Sequence, residues 1–326
     1  MRQNVTIMDI AAACDISKST VANALNSRTR EKVADDTLQK ILAAAKKLGY
    51  RPNLAAKTLS SQKSHTIGVL LPSPENHFYA SLSIALQKKF FARGYVSFFV
   101  YWERVSDAAK VMEAHDLLLS RGVDGIITCE LDGVSFDSAV PTVMYGTGGG
   151  EGFDCVFFDG HTAAMKAVQL LLSAGHKRFA FIGPDLNTDK EQGYRDALCE
   201  AGLPLNPDWI YYGSFRDSAP KAMEKFLTLN RRPTAVLCSN DDLALTAMSE
   251  ALRAGVKIPD EMAFVGCDDI EESRYCYPSL TTFRQSPDLI ADSLLELLFR
   301  RIDAPNATIV HRKLEMPFII RESTRL

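Results

Sequence analysis

From Thr66 to Ile320 short apolar runs alternate with longer amphipathic stretches, a pattern that commits most of the chain to an α/β architecture. Candidate strands are Thr66–Leu71, Tyr95–Tyr101, Gly125–Thr128, Thr142–Tyr145 and Cys155–Phe158, then Phe179–Ile182, Trp209–Tyr212, Ala235–Ser239, Ala263–Gly266 and Phe318–Ile320. Helical stretches such as Phe78–Arg93, Ala163–Ala174, Gly193–Ala201 and Asp242–Ala254 separate many of them. Near-continuous apolar strands belong in parallel sheets covered on both faces. Ten are too many for one compact sheet of this type, so the pattern predicts two doubly wound halves. Ligands in such sheets bind outside the carboxyl ends of the strands. That rule selects Asn76-His77-Phe78, Gly146, Phe158-Asp159, Asn240-Asp241 and Asp268-Asp269.

The first 65 residues read differently. Thr6 is an N-cap with Asp9 as its capping-box partner, and Ile7 and Ile10 give one apolar face of a first helix. The break falls at Asp15-Ile16; Ser17 caps a second helix whose stripe is Val21 and Leu25. Two short helices joined by a few residues make a helix-turn-helix, whose second helix enters the major groove, although such a pair also begins many small bundles. Lys18, Ser19 and Asn23 can make the hydrogen bonds that phosphates and base edges require. Charge favours the DNA reading: residues 1 to 65 carry 11 Lys and Arg against 5 Asp and Glu, the remainder 26 against 35. A third helix is expected over Asp35–Leu48, with acids in its first turn, lysines in its last, and Gly49 and Pro52 to end it. Asn53–Leu59 follows as a capped helix of only two turns, too short to be stable in water without a partner.

Other functions lack their motifs. No GxGxxG fits the glycines around 146–152, and neither a GxxxxGK[ST] loop nor a GxSxG elbow occurs. The six histidines form no HExxH pair, and the seven cysteines are widely spaced with no CxxC, so no metal, cofactor or disulfide framework is expected. Asp268-Asp269 is expected to divide into a ligand contact and a structural cap, because adjacent strand-end residues point in opposite directions. No apolar run reaches 18 residues and the amino terminus lacks a signal-peptide core, which predicts a cytoplasmic protein.

The segments VTIMDIAAACDIS-STVANALN, KKLGYRPN-AAKTLSS and HTIGVLLP, with FIIRESTR at the end, together resemble the lactose-repressor (LacI/GalR) family of bacterial transcriptional regulators. The resemblance implies a homodimer on pseudo-palindromic double-stranded operator DNA, without enzymatic activity. It assigns DNA contacts to Thr6, Ser17, Lys18, Ser19 and Thr20, to Asn23 and Asn26, and to Tyr50 and Asn53. Leu59 would be the wedge that enters the minor groove from the hinge helix, with Ala56 small enough for two such helices to approach. Cys14-Asp15 replaces the usual Ala-Gly of the turn, and Ala22-Asn23 replaces Ser-Arg. Asn suits adenine where Arg suits guanine, so an altered half-site is expected. The loop around Thr29 is about two residues longer than the commonest members have. No heptad-rich tail follows Arg325, and a dimer is expected rather than a tetramer.

For the body the resemblance implies a two-lobed periplasmic-binding-protein-like sensor, with a sugar or sugar-related effector in the cleft. The expected divisions are a head at 1–50, a hinge and linker at 51–64, a first lobe at 65–158 with 286–316, and a second at 159–285 with 317–326. Asn76, Phe78, Asn240 and Asp268 are expected effector contacts, Phe158 and Phe215 aromatic platforms, and Gln285 a crossover residue. Gly146 stands where the family tends to have an acid, and Lys190 where it has an arginine. The lobes alone would also suit a transport-type solute-binding protein, a reading that leaves the basic head without a purpose.

Overall fold

A computed structural model describes residues 5–26, 29–51, 63–102, 108–131, 134, 136, 139–147, 152–185 and 188–325. Asn53, Ala56 and Leu59 of the expected hinge lie outside them, as do Gly148 to Glu151 of the glycine-rich loop. The chain divides into two compact units, Met1–Ser64 and His65–Leu326.

In the smaller unit Thr6 opens helix α1 (Ile7–Cys14) with a complete capping box, the Asp9 carboxylate accepting the Thr6 amide at 2.7 Å. Asp15 ends the helix in the left-handed region at φ 51°, and its backbone N–H reaches two carbonyls of the last turn. Aspartate tolerates this conformation better than most residues, so the turn closes without glycine. Ser17 caps helix α2 (Lys18–Leu25) through the Thr20 amide at 3.2 Å. Helix α3 (Asp35–Leu48) ends at Gly49, φ 68°. Ile10, Cys14, Val21, Ala24, Ile41 and Ala45 meet in one core, which Val33 joins from the loop. Ile10 and Ile41 have no exposed surface, and burying each stabilises the unit by about 1.5–3 kcal/mol. The longer loop ties back onto α2: Thr29 donates its hydroxyl to the Asn23 carbonyl, and Arg30 its Nε to that of Ala24, both at 3.1 Å.

The larger unit runs β1 (Thr66–Pro72), α4 (His77–Ala92), β2 (Val96–Trp102), α5 (Ala108–Ser120), β3 (Gly125–Cys129), β4 (Thr142–Gly146) and β5 (Asp154–Phe158). It continues with α6 (Gly160–Ser173), β6 (Phe179–Gly183), α7 (Asp189–Glu200), β7 (Ile210–Tyr212), α8 (Ser218–Thr228), β8 (Ala235–Cys238), α9 (Asp241–Arg253) and β9 (Ala263–Asp268). Last come α10 (Glu272–Tyr275), β10 (Thr281–Arg284), α11 (Pro287–Asp303), β11 (His311–Leu314) and β12 (Phe318–Ile319). Two six-stranded sheets result, ordered β11-β5-β4-β3-β1-β2 and β12-β10-β9-β8-β6-β7, and within them only β12 is antiparallel to its neighbour. The chain passes between the sheets after β5, after β10 and after β11.

Two strands escaped the apolar pattern. β11 is HRKL, an edge strand with its side chains alternately exposed and half-buried, and only its pairing with Cys155–Phe158 makes it a strand. β10, TTFR, is buried but half hydroxylic. Trp209, expected at the start of a strand, instead closes the 3-10 turn Pro207–Trp209 and donates its indole N–H to the Arg231 carbonyl at 3.1 Å. In each sheet the order reverses beside the first strand, between β1 and β3 and between β6 and β8. Crevices open at such switch points because successive crossovers leave on opposite faces. Among the described residues no helix is long and apolar enough to cross a membrane.

Candidate functional site

The head presents its polar residues at the start of α2. Ser17, Lys18 and Ser19 are exposed, Thr20 is half-buried, and the Ser17 hydroxyl lies 2.9 Å from that of Ser19 and 2.8 Å from that of Thr20. Asn23 is half-buried one turn further along, and Asn26 is exposed at the helix end. Thr6 spends its hydroxyl on the cap of α1, and Tyr50 packs partly against the head core, where burial raises its phenol pKa. Four hydroxyl or ammonium groups at one helix start can both position a phosphate backbone and reach base edges.

In the body the expected residues divide sharply. Asn76 and Asn240 are helix caps, accepting the amides of Phe78 at 2.9 Å and Leu243 at 2.8 Å. Phe78 and Phe158 are core residues, 4 % and 5 % exposed, packed around Tyr145 at centroid distances of 5.9 and 6.3 Å. Phe158, which the resemblance makes an aromatic platform, thus packs its ring edge-on against Tyr145. Phe215 is 37 % exposed in the turn before α8.

Asp268, Gln285 and Lys190 do converge. Gln285 donates its amide to the Asp268 carboxylate at 2.6 Å, while its side-chain carbonyl accepts the Tyr145 hydroxyl from the other sheet. Lys190 donates to the Ser239 carbonyl at 2.7 Å. Burial works against the Lys190 ammonium, yet Cys267, Asp268 and Asp241 together hold its pKa above the ordinary lysine value. Burial pushes the Asp268 carboxyl up, against the pull of Lys190. Burial likewise lifts the Cys267 thiol to about 12, which makes it inert at neutral pH. A cavity of about 10 Å³ beside Lys190, lined by Cys238, Gly266, Cys267 and Phe283, is the size of one water. The lobes are thus drawn together around a side-chain network.

Asp268 and its neighbour both adopt positive φ, 131° and 57°, a conformation costing about 1–3 kcal/mol at a residue other than glycine. Asp269 is not the cap expected from the sequence. Its fully buried carboxylate binds Arg284 Nε at 2.6 Å, Arg274 at 3.3 Å and Arg321, which locks the crossover after β10 to the chain end. The strained pair thereby sends one carboxylate to the cleft and the other to the arginines.

Sequence reasoning missed three contributors, Glu130, Arg216 and Asp242. Glu130 immediately follows β3, so the strand-end rule that selected Gly146 could have found it. Arg216 and Asp242 carry no local signal. Asp242 is buried at the second position of α9 and accepts the His77 amide at 3.1 Å, its other oxygen lying 2.9 Å from His77 Nδ1 and 2.8 Å from Arg216 Nε. His77 begins α4 of the first lobe, and Asp242 and Arg216 belong to the second, so the three form a clasp between lobes.

Two regions match family descriptions: residues 6–53 match "Bacterial regulatory proteins, lacI family" and 168–324 a periplasmic binding protein-like domain. The chain is 30 % identical to the HTH-type transcriptional repressor PurR of Haemophilus influenzae over 91 % of both chains. The chain belongs to the LacI family. As a LacI-family protein it is a DNA-binding transcriptional repressor with a periplasmic-binding-protein-like effector domain, and not an enzyme. Its fold is that of the Lac repressor bound to ONPG in the repressed state, with a TM-score of 0.87 and 24 % identity over 99 % of this chain and all of the other. A complex of the transcriptional regulator CelR with cellobiose aligns at a TM-score of 0.69 and 24 % identity, over 98 % of this chain and all of that one.

Proposed function

We propose that this LacI-family repressor acts in the cytoplasm as a homodimer on a pseudo-palindromic operator, and that a small hydroxylated molecule held between its lobes switches it. The observation that carries the reading is the set of polar groups that meet between the two sheets: Asp268 and Gln285 at the strand ends of one, with Lys190 from α7, reaching Tyr145 of the other. Carboxylate, amide and ammonium groups beside aromatic rings suit a ring compound whose hydroxyls bond while its C–H faces stack. The cellobiose complex of CelR, a protein of the same fold, adds weight to a sugar-related effector.

In the head, Lys18, Ser19 and Asn23 read the major groove, with Ser17, Thr20, Asn26 and Tyr50 as supporting contacts. Leu59 acts as the minor-groove wedge, and Asn53 and Ala56 belong to the same hinge contact. The ligand changes the relation of the lobes, and with it the affinity of the dimer for its operator.

Fluorescence anisotropy with a random-operator library tests the whole. The expected result is a single inverted repeat, bound with a log–log salt slope of roughly −0.9 per phosphate neutralised. Binding that is equal on all duplexes, or indifferent to salt, refutes the proposal.

A further inference from the structure

Gly146 ends β4 at the carboxyl edge of the first sheet, beside the switch point between β1 and β3. The resemblance to the family leads one to expect an acid there. With Glu130 as it stands, a Cβ on residue 146 would lie 2.1 Å from Glu130 Oε2 and 2.5 Å from the carboxyl carbon, so an acid could enter only if the Glu130 side chain moved. The space of a side chain at 146 is taken by the carboxylate of its neighbour.

Glu130 is held there from two directions. Its backbone N–H donates to the Tyr145 carbonyl at 2.9 Å, extending the pairing of β3 with β4 by one residue. Its Oε2 accepts the Thr147 amide, and the Thr147 hydroxyl at 3.0 Å. Oε1 faces the Cys155 thiol at 3.5 Å, a weak donor. Glu130 is half-buried, and its charge extends across the crevice: Asp189 at the start of α7 has its carboxyl pKa raised by burial first, and then by Asp159 and Glu130. Among the described residues Lys313 pairs with Asp159 at 2.6 Å and Lys190 donates to the Ser239 carbonyl.

We propose that Glu130 is the specificity-determining acceptor of the first lobe, a carboxylate moved from the end of β4 to the end of β3 and given its room by Gly146. A carboxylate at that edge accepts hydroxyl or ammonium donors and repels phosphate and carboxylate groups, so the effector is a neutral or amino polyol and not a sugar phosphate. This rests on the cleft being the effector site, as proposed above.

The test uses the full chain and isothermal titration with defined probes: D-glucose, D-galactose, cellobiose, D-glucosamine, adenine and glucose 6-phosphate. At least one uncharged or amino sugar should bind, and glucose 6-phosphate should not. Glu130→Gln, which keeps the shape, should weaken that sugar at least tenfold. Glu130→Ala should do so by more, and adding Gly146→Asp to Glu130→Ala should bring affinity back to within a few fold of the parent. Operator binding by each variant confirms folding, and Glu130→Gln carries the test if the alanine variant does not fold. A sugar that binds parent and Glu130→Gln within twofold overturns the role of Glu130 and leaves the cleft reading intact. Tightest binding by glucose 6-phosphate or adenine overturns the ligand class. Failure of every probe refutes the hydroxylated-ligand reading, and this inference with it.

Discussion

Removing the Asp242 carboxylate should open the body. In Asp242→Ala the His77 amide at the start of α4 loses its acceptor across the lobes, and His77 Nδ1 loses a partner at 2.9 Å. A hydrogen bond to a charged acceptor is worth about 1.5–3 kcal/mol net. The imidazole contact is 39 % exposed on the histidine side, so solvent screening limits it to about 1 kcal/mol or less. The pair of Asp242 with Arg216 lies within one lobe and does not count toward closure. The clasp therefore favours the drawn-together arrangement by about 1.5–4 kcal/mol, which at 1.4 kcal/mol per decade shifts the interlobe equilibrium roughly 10- to 700-fold. Pulsed electron spin resonance can read it, with labels on the exposed positions Lys88 and Lys221, one in each lobe, in a Cys199→Ser background diluted with unlabelled protein. The main distance peak should move in Asp242→Ala. His77→Ala, which keeps its backbone amide, should give a smaller shift, and Arg216→Ala the smallest. Identical distance distributions in parent and Asp242→Ala would refute the clasp.

Four further outcomes follow from the same structure. Asn23→Arg should select an operator differing from the parent's near the α2 contact, by about 1–3 kcal/mol for one bidentate pair, and an unchanged consensus from a random-duplex selection excludes base reading by Asn23. Leu59→Ala should weaken operator binding and reduce the bend seen by gel phasing, and an unaltered bend argues against a wedge. Gly193→Ala would place a Cβ 2.2 Å from the His161 carbonyl where α6 crosses α7, so urea unfolding should show a loss of about 1–3 kcal/mol or more. Asp241, raised by burial from an ordinary 3.8 to about 6 against bonds from Ser273, Thr282 and the Ile270 amide, should give a pH-dependent stability. Because the folded pKa is the higher one, its contribution of about 3 kcal/mol is present below pH 3.8 and lost as pH rises through about 6. Asp241→Asn should flatten that slope in denaturation measured from pH 4 to 6.5.

Much of this protein is local and so was written in the sequence. The capping box at Thr6, the acid-to-lysine polarity of α3 and the left-handed glycine after it are properties of a few adjacent residues, and the structure has them as read. The apolar runs marked ten of the twelve strands among the described residues; β1, β3 to β6, β8 and β9 are almost wholly buried, and a strand covered on both faces must be apolar whatever its partner. β11 shows the limit: HRKL gains its conformation only from hydrogen bonds to a strand more than 150 residues away. The site divides in the same way. Strand-end position alone singled out Asp268 and Gly146, but not which carboxylate stands in the space beside Gly146 or that Phe158 packs on Tyr145. Glu130 and Gly146 are neighbours only because β3 and β4 pair in one register, and His77 meets Asp242 only when two separately wound sheets close on each other. Residue type and chain position set what each group can do; long-range pairing alone set which groups do it together.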